Sequence, residues 1–270
     1  MYVHFIDVGC GNMTLIIFSD GSRFMYDCNL TEENSEAVLS YLEGIIGNKG
    51  IDVFINSHRD ADHMRGIADL HATHLISKIW DSGVAGTTTD SPEYAAYMEL
   101  RRELSVSELE PFSSGSYGGA TLTCMNSKCD DYSDPNEQSL VIRIEYKGSS
   151  VMLAGDTNYR PWKEKIMPHY GNGVQSSILL ASHHGSIDFF DDPSDEKTYY
   201  TGHIAKILPV MTLVSVGPNV NDLPDPNAMK LYEKYSTSSD KGNKVFTTEK
   251  NGTMKLTLKD EGSWSLKAAN

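Results

Sequence analysis

Three short apolar strands each run straight into a cluster of side chains that bind metals, and this arrangement constrains the chain more than any other feature. Ile51 to Asn56 leads into Ser57-His58-Arg59-Asp60-Ala61-Asp62-His63, Val151 to Ala154 into Gly155-Asp156-Thr157, and Ile178 to Ala181 into Ser182-His183-His184-Gly185-Ser186. A fourth apolar run, Leu213 to Val216, ends at Gly217-Pro218-Asn219. In open α/β layers, ligands sit beyond the carboxyl ends of strands, so these clusters are expected to meet along one sheet edge. His58 and Asp60 lie two apart, which on an extended loop points both the same way. Asp62 and His63 follow at the expected start of a helix, so one tight loop offers two ligand pairs for two ions. Imidazole and carboxylate suit Zn²⁺, and increasingly Mn²⁺ or Fe²⁺ as carboxylates accumulate. Asp156 has two oxygens with which to bridge two ions. Two ions about 3.5–4 Å apart, sharing a hydroxide, would clamp the attacking and leaving oxygens of an ester.

Around these clusters the chain alternates strands and helices. Val3 to Asp7, Thr14 to Phe18 and Arg23 to Tyr26 read as a meander. A helix over Glu33 to Ile46 puts Val38, Tyr41, Leu42, Ile45 and Ile46 on one face, with Asn29 or Thr31 as its cap and Gly47 as its end. Further strands are expected at Ile76 to Trp80, Ala120 to Met125 and Leu140 to Tyr146, and a helix at Ser91 to Leu104. Pro111 to Gly119 reads as a turn-rich loop whose latter part is a lid candidate. A helix over Asn227 to Tyr235 precedes a final strand pair, Val245 to Thr247 and Thr253 to Leu258. The 270 residues are enough for one large domain, taken as residues 1–270.

Composition narrows the partners. Lys and Arg total 23 against 37 Asp and Glu, a formal charge of −14. Such a surface repels phosphate backbones and argues against an extended nucleic-acid interface, yet a phosphate ester held by bound dications remains compatible with it. No apolar run is long enough for a bilayer. The opening residues lack a basic stretch followed by an apolar one, which predicts a cytoplasmic setting and free thiols at Cys10, Cys28, Cys124 and Cys129.

Taken together, five ordered motifs resemble one family. His58-Arg59-Asp60-Ala61-Asp62-His63 is similar to the His-x-(His/Asp)-x-Asp-His signature of the metallo-β-lactamase superfamily. Phe5-Ile6-Asp7-Val8-Gly9-Cys10-Gly11-Asn12 resembles the "DVGQGD/N" start of its ComEC-like branch, which contains the hydrolase domain of competence proteins and also phosphorylcholine esterases. Met152-Leu153-Ala154-Gly155-Asp156, His183-His184-Gly185-Ser186 and Ser215-Val216-Gly217 through Pro226 resemble the branch's "LLTGD", "HHGS" and "SVGxNxxxHP" segments. The likeness runs from about residue 3 to 258. It implies an αββα sandwich, two mixed sheets flanked by helices, with a two-metal site at its edge, usually zinc with manganese as the alternative. It also implies hydrolysis, often of phosphodiesters. Carried over, one ion takes His58 and Asp60, the other Asp62, His63 and one of the two adjacent histidines, with Asp156 bridging. His184 is favoured as the ligand and His183 as a proton donor or phosphate contact; Asp62 orients the nucleophile.

The sequence also departs from the family pattern. Asp60 stands where many members have His, Asn12 where Asp is commoner, Arg65 where the branch has Gly, and Asp225 where it has His. No histidine lies between His74 and Asp156, and Asn136 is the polar residue placed to approach that position. Arg160 and Arg65 are candidate phosphate contacts. Asp7 and Asp27, each ending a short strand, are candidates to orient ligand histidines. His4, His71, His74, His169 and His203 read as structural, and Trp162 as packing. Acidic stretches at Asp130 to Asp134 and Asp188 to Glu196 would suit a small or cationic-headed substrate if they line the mouth. The expected function is therefore phosphodiester hydrolysis of a nucleic acid, nucleotide or phosphocholine-type ester. The alternatives are hydrolysis of carboxylic esters, lactones or amides, and a non-catalytic member that binds or senses, for which a partner protein is conceivable.

Overall fold

The computed structural model describes residues 1–85, 89–126, 130–195, 197–239 and 244–269. Cys129 and Glu196, and the expectations attached to them, lie outside the described residues. Within the described residues two large sheets face each other. The first has eight strands, in the order Trp264–Ala268, Met254–Leu258, Tyr2–Phe5, Thr14–Ile17, Arg23–Tyr26, Val53–Ile55, Lys78–Asp81 and Ser105–Glu108. The second has seven, in the order Val245–Thr247, Met211–Val214, Ile178–Leu180, Ser149–Leu153, Ile142–Tyr146, Ala120–Cys124 and Ser114–Tyr117. Each is mixed: Arg23–Tyr26, Val53–Ile55 and Lys78–Asp81 run parallel, as do Ser149–Leu153, Ile178–Leu180 and Met211–Val214, while the meanders are antiparallel.

The period-two alternation of side chains explains why these strands are apolar throughout. Phe24 and Tyr26 face the opposing sheet, as do Val151 and Leu153. Between them, Met25 faces outward to Val38, Leu42, Ile67, Leu70 and Tyr97 on the helices Ser35–Ile46, Ile67–Thr73 and Pro92–Glu103. Met152 and Ala154 face outward to Trp162, Ile204, Ala228 and Tyr232, which belong to the opposite helical layer. Three apolar layers thus form an αββα sandwich, the expected architecture. Among the described residues no helix is long and apolar enough to cross a membrane.

Several expectations are corrected. The helix after the first ligand cluster starts at Ile67, because Ala61–His63 forms a single tight turn and Met64–Arg65 then pairs with Cys28–Asn29. Ser114–Tyr117 is an edge strand, not a lid: it pairs with the following strand, and the Tyr117 ring packs on Phe18, Phe24 and Trp80. The final strand pair is split, since Val245–Thr247 joins the second sheet and Met254–Leu258 the first. The last strand, Trp264–Ala268, and the Ser105–Glu108 strand lack strong apolar alternation and escape the sequence pattern. Neither Asn29 nor Thr31 caps the first helix; the cap position is Asn34, and the Asn29 amide is drawn away to the carbonyls of Val8 and Cys10.

Candidate metal centre

Four strand exits meet at one edge of the sandwich. The turn holding His183 and His184 is tied to the loop holding Asp156: His183 N–H donates to the Gly155 carbonyl at 3.0 Å, and Ser182 Oγ donates to the Thr157 carbonyl at 2.6 Å. The Asn12 amide donates to the Asp62 carbonyl at 3.2 Å, and Ser215 Oγ donates to the Gly11 carbonyl at 2.7 Å. His183 and His184 both adopt left-handed backbone, with φ of 49° and 51°, which is strained for residues other than glycine and is held here by those tethers. Gly155 precedes Asp156 at φ 56°, and a Cβ there would stand 2.3 Å from Ser139 Oγ. No other residue type leaves Ser139 where it is.

The result is a compact donor set. One ligand atom each from Asp62, His63, Asp156 and His184 lies within 4.8 Å of the others. His63 Nε2 is 3.1 Å and His184 Nε2 3.4 Å from Asp156 Oδ2, and His184 Nε2 is 3.2 Å from Asp62 Oδ2. Beside this group, the His58 ring lies 4.2 Å from the His63 ring, and His58 Nε2 is 3.5 Å from Asp60 Oδ2. His183 stands at the rim, 24% exposed, with Nε2 3.9 Å from Asp156 Oδ2.

The protein fixes which nitrogen of each buried ring is available. His63 Nδ1 donates to Asp27 Oδ2 at 2.8 Å, and His184 Nδ1 donates to the Ser215 carbonyl at 2.9 Å. His58 Nδ1 sits 3.0 Å from Ser57 Oγ and 3.1 Å from Ser139 Oγ. In all three rings Nε2 is buried without a hydrogen-bond partner, and so is Asp156 Oδ1. A buried polar atom left unpaired is costly, and the His63, His184 and Asp156 atoms gathered beside Asp62 fit a missing cation. A partner on Nδ1 that leaves Nε2 as the lone pair is the usual support for a metal-bound imidazole. The titration tendencies agree. Burial opposes charge on His63, yet Asp156, Asp27 and Asp62 carry it well above its ordinary value. Burial likewise opposes charge on His184, which Asp156 and Asp62 push up to about 10. The imidazolium charges draw Asp156 and Asp62 well below the carboxylate range despite burial. Without a cation, protons on the rings balance the carboxylates.

The remaining sequence candidates are placed by their contacts. Asp27 is buried and accepts from Ser57 N, Ser57 Oγ and His63. Asp7 instead accepts the Gly9 amide at 3.3 Å, closing its own turn. Arg65 pairs with Glu93 at 3.4 Å and donates to Asn29 Oδ1 at 2.9 Å. Arg160 pairs with Glu164 and Glu137 and lies over the Tyr132 ring, so salt bridges occupy both arginines offered as phosphate contacts. Asn136 Oδ1 is buried without a hydrogen bond, and the Asn136 amide donates to Asp134 Oδ1. Asp225 caps the Pro226–Tyr235 helix. The acidic stretches are partly neutralised, Asp131 by Lys165 and Asp192 by Lys163. Trp162 is buried and donates to Thr157 Oγ1. Sequence reasoning missed three serines: Ser57, Ser139 and Ser215. Ser57 alone carries a local signal, since it adjoins His58; Ser139 reaches His58 from 81 residues away, and Ser215 holds His184 through its backbone carbonyl.

Residues 43–179, just over half of the chain, match the family described as Beta-lactamase superfamily domain. The chain is 21% identical over 180 residues to the competence protein ComA of Neisseria gonorrhoeae, covering 67% of this chain and 23% of that protein. It spans under a quarter of the length of the curated relatives it matches. Among solved structures, the metallo-β-lactamase fold protein YhfI of Bacillus subtilis superposes with a TM-score of 0.54 at 14% identity, over 94% of this chain and 99% of that one. CmlA of Streptomyces venezuelae, a diiron β-hydroxylase, superposes with a TM-score of 0.58 at 14% identity, over 95% of this chain and 54% of that one.

Proposed function

Because the chain belongs to the beta-lactamase superfamily and has its metallo-β-lactamase fold, we propose that it is a two-cation hydrolase of phosphodiesters. The observation that carries the reading is the set of three buried imidazoles whose Nδ1 atoms are held and whose Nε2 atoms have no hydrogen-bond partner, those of His63 and His184 against Asp156 and Asp62 and that of His58 against Asp60. His63, His184, Asp62 and Asp156 would hold one ion, and His58 and Asp60, sharing Asp156, the second. Two divalent ions, zinc in the first instance and manganese as the alternative, would supply a nucleophile at neutral pH and neutralise charge developing on the phosphoryl oxygens. The phosphodiester class is supported by the motif resemblance to the ComEC-like branch, and the similarity to a competence protein agrees with that resemblance.

The chain's own residues supply position and proton transfer. Asp62 is 31% exposed with Oδ2 against His184 Nε2, so one oxygen is left to orient an attacking water. His183, at the rim and within 3.9 Å of Asp156, is placed to hold a proton for the leaving oxygen. The −14 charge disfavours long polyanions and favours a small ester or nucleotide.

The test is hydrolysis of bis-(p-nitrophenyl) phosphate by protein of known metal content, with zinc and manganese compared and Asp156→Ala as control. About two ions per chain with Asp156-dependent release supports the reading. Two ions with release from lactones alone moves the activity to carboxylic esters. No bound metal and no turnover after reconstitution overturns it.

A further inference from the structure

Arg59 lies between the ligand candidates His58 and Asp60, yet it is only 5% exposed and its charge is turned away from them. Its guanidinium Nη2 is 3.3 Å from Asp81 Oδ2, and its central carbon lies 5.7 Å from the centre of the Tyr97 ring. Asp81 ends the strand beside the one that delivers the ligand loop, and it is 1% exposed. Its carboxylate is saturated: Oδ2 accepts from Tyr97 Oη at 2.7 Å and Arg101 Nε at 2.8 Å, and Oδ1 accepts from the Gly83 amide at 2.9 Å. Tyr97 and Arg101 come from the Pro92–Glu103 helix, so one carboxylate ties the ligand loop to the outer helical layer. Arg59 Nε, by contrast, is buried with no partner. The Arg59 contact is thus longer than the Tyr97 and Arg101 Nε bonds to the same oxygen, and it belongs to an incompletely satisfied cation.

We infer that Asp81 is a positioning residue, which holds the Arg59 guanidinium away from the Asp60 carboxylate and so keeps the His58–Asp60 pair open to a cation. A buried guanidinium that loses its carboxylate must find another. Asp60, one residue along and 34% exposed on its side chain, is the carboxylate in sequence reach. An arginine on Asp60 would occupy that ligand and repel an incoming dication. Asp62, His63, Asp156 and His184 would be untouched, since Asp27 and Ser215 hold their rings. The inference rests on the two-ion reading above and adds to it a residue outside the donor set.

The test is equilibrium dialysis of the whole chain against buffered Zn²⁺, with bound metal counted by mass spectrometry. The unmutated protein should bind two ions. Asp81→Asn should keep one at unchanged affinity and weaken the other by about tenfold or more, the range seen when a group supporting a ligand is removed. Adding Arg59→Met to Asp81→Asn should restore the second ion, because the competing cation is gone. Tyr97→Phe should lower the melting temperature and leave both affinities alone. Arg59→Met by itself, which keeps Tyr97 and Arg101 on Asp81 and so does not depend on Asp81→Asn folding, should bind two ions as tightly as the unmutated chain. Equal loss of both ions in Asp81→Asn, no loss, no restoration in the double variant, or loss in Arg59→Met would each overturn the inference. One ion in the unmutated chain would instead overturn the two-ion reading before any variant is compared, and this inference with it.

Discussion

Asp27→Asn changes one atom of the carboxylate behind His63 and should be far more damaging than its size suggests. Asp27 Oδ1 accepts from Ser57 N at 2.7 Å, and Oδ2 accepts from Ser57 Oγ and His63 Nδ1, each at 2.8 Å. An amide has two ways to sit there. With its NH₂ group toward His63, it donates to Nδ1 and moves the ring proton to Nε2, the atom that would otherwise bind a cation. Flipped, the NH₂ group meets the Ser57 N–H, donor against donor, in a fully buried site. Either arrangement costs metal affinity, and removing groups that support a ligand costs about 10–100-fold, or roughly 1.4–2.7 kcal/mol. Asn also tolerates the φ of 60° at this position, so the backbone gives no separate reason for loss. The assay is competition for Zn²⁺ with a chromogenic chelator, with the protonated nitrogen of His63 read by nitrogen NMR on the zinc-loaded protein. An affinity within twofold of the unmutated chain, with the proton still on Nδ1, would refute the tautomer argument.

Three further outcomes are expected. Gly155→Ala places a Cβ 2.3 Å from Ser139 Oγ, which accepts the Asp156 amide at 2.9 Å and contacts His58 Nδ1, so both metal content and melting temperature should fall. His183→Gln should keep its metal, lose about 10²–10⁴-fold in kcat on an alkyl phosphodiester and lose much less on a p-nitrophenyl ester, whose leaving group needs no proton; equal losses on both would remove the proton-donor role. His203 is enclosed by Trp162, Phe189, Phe190 and Tyr200, and burial pushes its pKa down to about 3. With the unfolded chain titrating near 6.5, the unfolded state binds the extra proton between those values, so stability is lost as pH falls below 6.5. The loss reaches about 2 kcal/mol by pH 5. Urea midpoints at pH 7.5 and 5 should show that drop in the unmutated chain and a smaller one in His203→Phe.

How much of this was legible in the sequence depends on the range of the interactions. The strands at Val53–Ile55 and Ile178–Leu180 and the ligand clusters behind them could be read because apolar periodicity and a strand exit are local signals, and because each cluster repeats the same design. The partners of those ligands could not be read in the same way. Asp27 lies 36 residues from His63, and Ser139 lies 81 from His58. Nothing local to a serine says which imidazole it will face; only the strand order, with Arg23–Tyr26 beside Val53–Ile55, brings Asp27 against the loop after the neighbouring strand. For the arginines the structure shows partners of another kind. Arg65 and Arg160 suggested phosphate contacts because an isolated cation near a ligand motif invites an anion, but the fold supplies Glu93, Glu137 and Glu164 first. In a chain with 37 acidic side chains, an arginine is more often already paired than waiting for substrate. The carboxylates of the metal centre differ in having no arginine or lysine among the described residues: Asp62 and Asp156 face only imidazoles, whose Nε2 atoms are left without a hydrogen-bond partner.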